Sequence, residues 1–526
     1  MRIAVTDFKG VAPKRNARLL PDQFAQTAVN TRLDDGAIGP ANAPVLEEAL
    51  GAPAATIYRL EDETWLTWPS VVNVVPGPIA ADRLYTTGGG VPRLIVDETT
   101  YNLAVPRPTT APTTVLQSGT VNAETSEQVL FAYTWLTEYE EESEPSPLST
   151  PLEWSAGCVV RLSDIPAPPA GRAIDRVRIY RSSTSATGIS DLYYVDEIAL
   201  ATTYDHDADL APLQDVAVSK DFTAPVDTLA GIISMPNGMM AAFSGRTIYF
   251  CEPYLPHTWP AKYSLVVDFD IVALAAFGSF LAILTEGTPY RAQGTHPDNM
   301  SMEQIEENLP CVSLRSVVDF GYAAIYASTE GLVRITSTGA EVISRPLISR
   351  AQWEAVDPAS IVASRYNGRY WFSFGGTLNG RTDKGAMIDL TGEQPFLIET
   401  NAHAIGAFHD IREGRLFYLF NSTTIQEWEP EGGDPMIQSW RSKVFVTPHP
   451  VNFSAIMVEG IANVDPGTFS ADIYADGDLK HTITAMNVAE RLPSGFRATR
   501  WEVEVTTDAT IEAITIAESM GELQTP

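Results

Sequence analysis

Cysteine is nearly absent. Cys158, Cys251 and Cys311 are the only three in 526 residues, and none belongs to a CxxC pair. That excludes a disulfide framework and predicts three small buried thiols from a reducing compartment. Positive charge is also scarce: 35 Lys and Arg stand against 66 Asp and Glu, a formal charge of −31. Wrapping a phosphate backbone for affinity needs basic surface, so that class is excluded. The acidity suits solubility at high local concentration and a surface that does not stick to nucleic acid. No apolar run reaches 18 residues, so no membrane span is expected, and residues 1–10 lack the apolar stretch of a secretory signal. The longest candidate, IVALAAFGSFLAIL at 271–284, is broken by Gly278 and Ser279 and reads as two buried strands joined by a turn. The chain is therefore expected to be soluble. Helical periodicity is sparse; short helices are predicted at PDQFAQTAVN (21–30), SMEQIEEN (301–308) and SRAQWEAV (349–356).

What is present is a repeated phrase. An apolar strand runs into a Gly-bearing turn, and the turn into a strand ending in an aromatic or basic residue. It reads MAAFSGRTIYF at 240–250, LAILTEGTPYR at 281–291, AAIYASTEGLVRI at 323–335 and RYWFSFGGTLNGRTDKGAMIDL at 369–390. Looser copies are RLFYLFNSTTIQEW at 415–428 and RLYTTGGGVPRLIV at 83–96. Marks at the turns fall at Gly90, Gly245, Gly287, Gly331, Gly385 and Thr423, and from Gly245 onward they step by 42, 44, 54 and 38 residues. A four-stranded propeller blade takes roughly 40–45 residues. The prediction is an all-β chain with a β-propeller of about six blades, the first at 50–105 and the rest at 225–435. The step of 155 residues from Gly90 to Gly245 leaves room for an inserted domain.

The insert, 106–224, opens on a Pro/Thr linker and then alternates apolar and polar residues. It resembles a fibronectin type III β-sandwich, with Phe131, Tyr133 and Trp135 on one strand and Val177, Ile179, Tyr180 and Arg181 on a later one, about a Gly-Ile-Ser turn at 188–190. TTYDHDADL (202–210) resembles the entry to the last strand of such domains. Residues 436–526 alternate in the same way and predict a C-terminal β-sandwich, with a hairpin turn at Asp476-Gly477.

No pattern of chemistry rises above the scaffold. Glu138, Glu140, Glu141, Glu142 and Glu144 are the densest acids, and they read as a solvated loop rather than a glycosidase pair. Asp205, Asp207 and Asp209 alternate, but a Ca²⁺ loop counted from Asp205 would need Gly and Glu where Leu210 and Val216 stand. Asp472, Asp476 and Asp478 read as a plain hairpin, and His403 and His409 lack zinc spacing. Gly88-Gly89-Gly90 precedes a strand, so it is a hairpin turn and not a phosphate loop. Trp65, Trp68, Tyr85, Tyr370, Trp371 and Phe374 read as packing between blades, with a sugar platform as the sharper alternative. Arg176, Arg178 and Arg181 read as a solvated face, or else as partners for acids of a neighbouring subunit. No catalytic, cofactor or metal residue is assigned.

The first 49 residues differ from the repeats. Leu20, Pro21, Ala25, Ala28, Asn30, Leu33, Gly36, Ile38 and Pro40 carry a resemblance to the N-terminal segments of bacteriophage tail structural proteins. STEGLVRITSTGAEVIS (328–344), SRYNGRYWFSF (364–374) and TIQEWEPEGGDPMIQSWRSKVF (424–445) are similar to blade signatures of the tail nozzle, or tail hub, proteins of short-tailed phages. The last phrase leaves a strand and enters a sandwich through Trp440-Arg441-Ser442-Lys443. The resemblance covers the leader and about 226–526, not the insert. It implies a structural virion protein that is not an enzyme, assembled in the host cytoplasm into a ring of six. Such a ring would sit below the portal and its adaptor, dock fibre or tail-tip proteins, and line the tail tube for genome ejection, with DNA passing unbound. Carboxylates along such a channel would repel the duplex. The alternatives are a tail-associated receptor- or carbohydrate-binding propeller and a secreted bacterial adhesin.

Overall fold

The computed structural model describes residues 1–80, 82–184, 190–206, 215–390, 394–462 and 467–523. The chain is all-β, with 46 strands and two short α-helices among the described residues. It divides into two compact units: residues 1–71, 282–289 and 304–526 form one, and residues 72–281 and 290–303 the other.

The repeated phrase is the central hairpin of a four-stranded antiparallel meander. In the second unit, one meander runs Asn73–Pro76, Arg83–Thr87, Arg93–Val96 and Thr99–Asn102, and another Ala230–Ser234, Met240–Ser244, Thr247–Phe250 and Ser264–Val266. In the first unit, Val318–Asp319, Ala324–Ser328, Gly331–Thr336 and Gly339–Val342 form a third. Val362–Tyr366, Arg369–Leu378, Arg381–Asp389 and Phe396–Thr400 form a fourth. Residues 271–304 supply four more strands in the same succession, with Gly278 at φ 56 turning Ile271–Phe277 into Phe280–Thr285 as the sequence predicts. The first strand of each phrase, the second of its meander, is largely buried because the sheet is covered on both faces. Ala324–Ser328 is buried at every position, and so are Tyr370, Trp371, Phe372 and Phe374 of the next meander.

Within each unit the first strands of successive sheets lie side by side. Asn73–Pro76 adjoins Ala230–Ser234, which adjoins Ile271–Phe277. In the first unit Val318–Asp319, Val362–Tyr366, Gly406–Asp410 and Thr56–Arg59 follow one another in the same way. Residues 50–105, expected to form one blade, contribute a two-stranded hairpin, Thr56–Arg59 with Trp65–Trp68, to the first unit and a full meander to the second.

The leader has no sheet of more than two strands to itself; its longer strands complete sheets made by distant residues. Arg2–Val5 pairs antiparallel with Thr510–Ala517. Ala25–Val29 pairs antiparallel with Gln438–Ser442 and meets Phe396–Thr400 in parallel at Val29 and Glu399. Val45–Ala49 pairs with Thr424–Trp428 and so becomes the fourth strand of the Gly406–Asp410, Arg415–Asn421, Thr424–Trp428 sheet. Residues 21–30 are thus a turn and a strand and not a helix: Ala25 and Ala28 fit a closely packed strand, and two neighbouring sheet edges satisfy the backbone that a helix would have satisfied internally. Beside this strand Gly10 runs so close to Leu397 that a Cβ would lie 1.9 Å from its carbonyl oxygen. Residues 301–304 are likewise a strand, whereas 350–356 is the expected helix, started by a capping box between Ser349 and Gln352.

The C-terminal residues form two sheets on a common core. One holds Arg2–Val5, Thr510–Ala517, Ala455–Ile461 and Glu490–Arg491; the other continues from Gln438–Ser442 through Ala498–Thr507, Phe469–Ala475 and Asp478–Ile483. Phe453 meets Trp501 edge-on at 5.0 Å, among buried Ile456, Val458, Ile473, Val503 and Ile514. Asp476 (φ 52) and Gly477 (φ 93) make the predicted hairpin turn.

The insert has sheets of Thr113–Ser118, Val159–Ser163 and Tyr204–His206; of Glu127–Val129 and Leu152–Trp154; and of Phe131–Thr137, Ile174–Thr184 and Ser190–Ala199. Phe131, Tyr133, Trp135, Val177 and Ile179 form its core, as the alternation predicts. The predicted turn at 188–190 has Gly188 and Ile189 outside the described residues. The free edge of Phe131–Thr137 is closed by a serine ladder instead of a strand. In SEPSPLS (143–149) the amides of Ser143, Ser146 and Ser149 donate to the carbonyls of Trp135, Tyr133 and Phe131 at 3.0, 2.8 and 2.9 Å. Their hydroxyls accept the amides of the same three residues at 3.0, 3.1 and 3.0 Å. Pro145 and Pro147 have no N–H to give, and a serine at every third position takes over both halves of the ladder. Ser146→Ala would leave the buried Tyr133 amide without an acceptor, at a cost of about 1–3 kcal/mol. Hydrogen exchange should show faster exchange confined to 131–137, with Ser146→Thr retaining most of the protection.

Candidate functional site

The most elaborate polar arrangement in the second unit is the one that the run of glutamates forms. The expected solvated loop is partly buried. Glu141 and Glu142 are buried, while Glu138, Glu140 and Glu144 keep more solvent. The reason lies in a turn on which Glu140 takes φ 62, so that Glu141 and Glu142 fold back beneath it. Glu142 accepts from Tyr180 Oη at 2.6 Å, Thr134 Oγ1 at 2.7 Å and Ser219 Oγ at 3.0 Å, and pairs with Arg178 at 2.9 Å. Glu141 pairs with Arg172, and its Oε1 lies 3.9 Å from Nδ1 of the buried His257. Burial pushes the Glu141 carboxyl up and the Arg172 guanidinium down, each opposed by the charge of the other. Burial, and then Arg172, bring His257 down to about 3, so the imidazole is neutral at physiological pH.

Among the described residues, Tyr85 Oη, Glu141 Oε1, Arg172 Nε and Nη1, and both ring nitrogens of His257 make no well-formed hydrogen bond. A neutral imidazole beside a carboxylate is the composition of an acid–base pair. Burial of both keeps any macromolecular substrate away, and the donors and acceptors fit a small polar guest or water at most. Mechanically the cluster ties Glu141 and Arg172 of the insert to His257, which belongs to a long connection of the meander at 230–266.

Arg176, Arg178 and Arg181, expected to be solvated or to pair with a neighbour, are engaged within their own chain. Arg176 bonds Glu140 at 2.7 Å and Glu197 at 2.5 Å, Arg178 bonds Glu197 at 2.9 Å, and the buried Arg181 lies over Trp154 at 4.8 Å. Period-two alternation places Arg176 and Arg178 on one face, and Glu197 on the adjacent strand takes both.

A second network stands in the first unit where Val45–Ala49 completes its sheet. Arg59 is 3% exposed and faces Glu413 at 2.8 Å, Glu63 at 3.2 Å, Asp410 at 3.5 Å and Glu47 at 3.7 Å, with its guanidinium 5.0 Å from the Phe417 ring centre. Arg415 chelates Glu427 at 2.8 and 2.7 Å, and Arg412 holds Asp410 below its usual range against the opposing effect of burial. Next to it is a polar groove of about 470 Å³ lined by Tyr366, Glu413, Arg415, Glu427, Trp428 and Glu431, among others. Another cavity, of about 260 Å³, lies between Arg15, Gln26, Asn379 and Arg441.

A third feature is the carboxylate at the leader seam. Glu399 is 2% exposed, its oxygens accept from Asn379 Nδ2 at 3.2 Å and the Ala28 amide at 3.4 Å, and burial raises its pKa to about 7.

The other residues singled out in the sequence do not converge. Tyr85, Tyr370, Trp371 and Phe374 are core, and Trp65 packs edge-on against Phe417 and Phe408. His403 lies 3.3 Å from Ser373 Oγ, and His409 is pulled below its usual value by burial. The predicted thiols Cys158, Cys251 and Cys311 are free and buried, and burial pushes the latter two up to about 12. Asp205 pairs with Arg161 at 2.7 Å, while Asp207, Asp209 and Leu210 lie outside the described residues. Among the described residues no three His, Cys, Asp or Glu side chains gather to hold a metal ion. Arg172 and His257 carry no motif, and only their placement in three dimensions distinguishes them.

No family model and no curated protein matches this chain. Among solved structures, BBS1N in complex with ARL6DN aligns over 75% of this chain and 99% of that one, at 9% identity and a TM-score of 0.30. An exo-β-1,3-galactanase from Phanerochaete chrysosporium aligns over 54% and 95%, at 9% identity and a TM-score of 0.19. Likenesses at these scores bear on neither fold nor activity.

Two outcomes follow from the buried groups. Removing one partner of a buried ion pair costs about 3–5 kcal/mol. Arg172→Met should therefore destabilise the second unit and expose 137–142 to hydrogen exchange, whereas Arg161→Met, at an exposed pair, should leave both unchanged. Glu399 has a folded-state pKa raised from 4.5 to about 7. Its contribution to stability is then fully present below pH 4.5 and is lost as pH rises through 7, by on the order of a few kcal/mol. Chemical denaturation followed from pH 4 to 8 should show that decline, and Glu399→Gln should flatten it.

Proposed function

We propose that the protein is a structural component of a phage tail, the nozzle ring at the tail tube. In this reading the chain is a β-propeller of about six four-stranded blades, with the Thr56–Arg59/Trp65–Trp68 hairpin beside them, and it works by assembling and not by making bonds. The observation that carries the reading is the leader. Of the residues that resemble phage tail proteins, Leu20, Ala25, Ala28, Asn30, Leu33, Ile38 and Pro40 are buried and Pro21 and Gly36 half-buried, and the leader strand among them links a meander to one of the C-terminal sheets. Six successive strand–turn–strand phrases and two buried polar networks that fix distant segments also support a rigid scaffold. Copies would form a ring of six, meeting an adaptor on one side and fibre or tip proteins on another, with DNA passing through.

Reconstruction of the virion that carries this protein should place it on the tail axis with six-fold symmetry. Separate trimers at the periphery would overturn the nozzle in favour of a fibre. A virion-free monomer that binds soluble glycans would overturn it in favour of a carbohydrate reader.

A further inference from the structure

The scarce positive charge is not spread evenly. Residues 8–21 hold Lys9, Lys14, Arg15 and Arg18 and not one Asp or Glu. In the fold, Lys14, Arg15 and Arg18 are exposed, and Leu19 beside them is 77% exposed. Lys14 Nζ donates to the carbonyl of Arg345 at 2.6 Å, which brings a further exposed arginine to the same surface. Among the described residues none of Lys14, Arg15, Arg18 or Arg345 has a carboxylate within ion-pairing distance, although acids outnumber bases almost two to one. Most other arginines are spent in pairs of the kind described above. A cluster of unpaired cations around an apolar side chain, on a chain this acidic, is a surface made for an acidic, partly apolar partner.

The same unit carries a surface of that composition, sharing no residue with the first. It lies at the open edge of the sheet that Val45–Ala49 completes. Val45 is opposite Glu427, and the Asp410–Arg415 turn closes the same end. Ile411 is 84% exposed there and Leu46 59%; Glu48 is exposed further along the same edge strand, and the exposed Glu413, paired with Arg59 and Arg415, and Glu431 line the 470 Å³ groove. We propose that Arg15, Arg18 and Leu19 of one copy dock on Ile411, Leu46, Glu48 and Glu431 of the next. Donor and acceptor are different surfaces, so the contact is head-to-tail, the kind that closes into a ring. Copies that repel through their net charge would be held by this local cluster, and the contact would weaken with salt. The inference rests on the ring reading and names its interface.

The test uses the full chain, by light scattering or mass photometry, with circular dichroism to show that each variant is folded. Wild type should assemble, and its mass should fall as salt is raised. R15E/R18E and E48R/E431R should each run as the 57.2 kDa monomer. Mixed one to one they should reassemble, because each reversed surface now fits the other variant, and the assembly should contain an even number of subunits. An R15E/R18E variant that keeps the wild-type mass, or folded variants that stay monomeric when mixed, would overturn the interface and leave the ring reading standing. A wild type that is monomeric at every concentration and salt would overturn both.

Discussion

The first unit depends on the edge pairing of five residues. Ala25–Val29 is inserted between Phe396–Thr400 and Gln438–Ser442, strands that lie hundreds of residues further along the chain. Without it two sheet edges would face each other with unpaired amides and carbonyls, at a cost no side-chain contact nearby could offset. With it a meander and one of the two C-terminal sheets become one continuous hydrogen-bonded path. The small side chains of Ala25 and Ala28 allow the close approach, and the Asn30 amide donates to the Glu399 carbonyl at 2.8 Å, fixing the register where the parallel pairing ends. A buried carboxylate at that point is a local weakness in an otherwise apolar seam.

Charge is handled by a similar economy. An acidic chain cannot bury carboxylates cheaply, and away from Glu399, which two amides meet, the most elaborate cases are those where an arginine or several hydroxyls meet them. Glu142 has four partners, Arg59 faces four acids, and Glu197 is shared by two arginines. Each pair formed inside takes an acid with its cation, so the net charge outside is unchanged while the ratio of acids to bases among the remaining groups rises. The few cations left unpaired at 14–18 are therefore conspicuous, whereas isolated surface lysines on a neutral protein would not be.

The sheets were legible in the sequence because their central hairpins share one grammar: an apolar run, a turn, and a second run. All six phrases are such hairpins or their strands. The turn mark at Gly385 is displaced, since that glycine lies within Arg381–Asp389 and pairs with Thr400, while Asn379-Gly380 makes the turn. What the sequence hid is whatever depends on a distant partner. Residues 21–30 have helical composition, and only the two remote edges make them a strand. Glu141 and Glu142 look like any acidic loop until Arg172, Arg178 and Tyr180 come to them from strands and turns about 30–40 positions away. The serine ladder was visible as a Pro-rich exit, yet its period of three has no meaning without the strand it serves.

The same long-range pairing constrains how the protein can be made. Contacts of high sequence separation form late, after the closure entropy of the intervening chain has been met. Arg2–Val5 cannot pair until Thr510–Ala517 exists, and Val45–Ala49 needs residues beyond 424. During synthesis the meanders can fold one by one on local hairpins while the leader waits unpaired. The leader is also the segment that carries Arg15, Arg18 and Leu19, whose position is set by the Lys14 amide on the Leu347 carbonyl and the Val444 amide on the Ala17 carbonyl. Its exposed cations take up a defined arrangement only once the C-terminal sheets have captured it. A docking surface built on such a segment becomes competent when folding is complete and not before, which separates the folding of each copy from its association with the next.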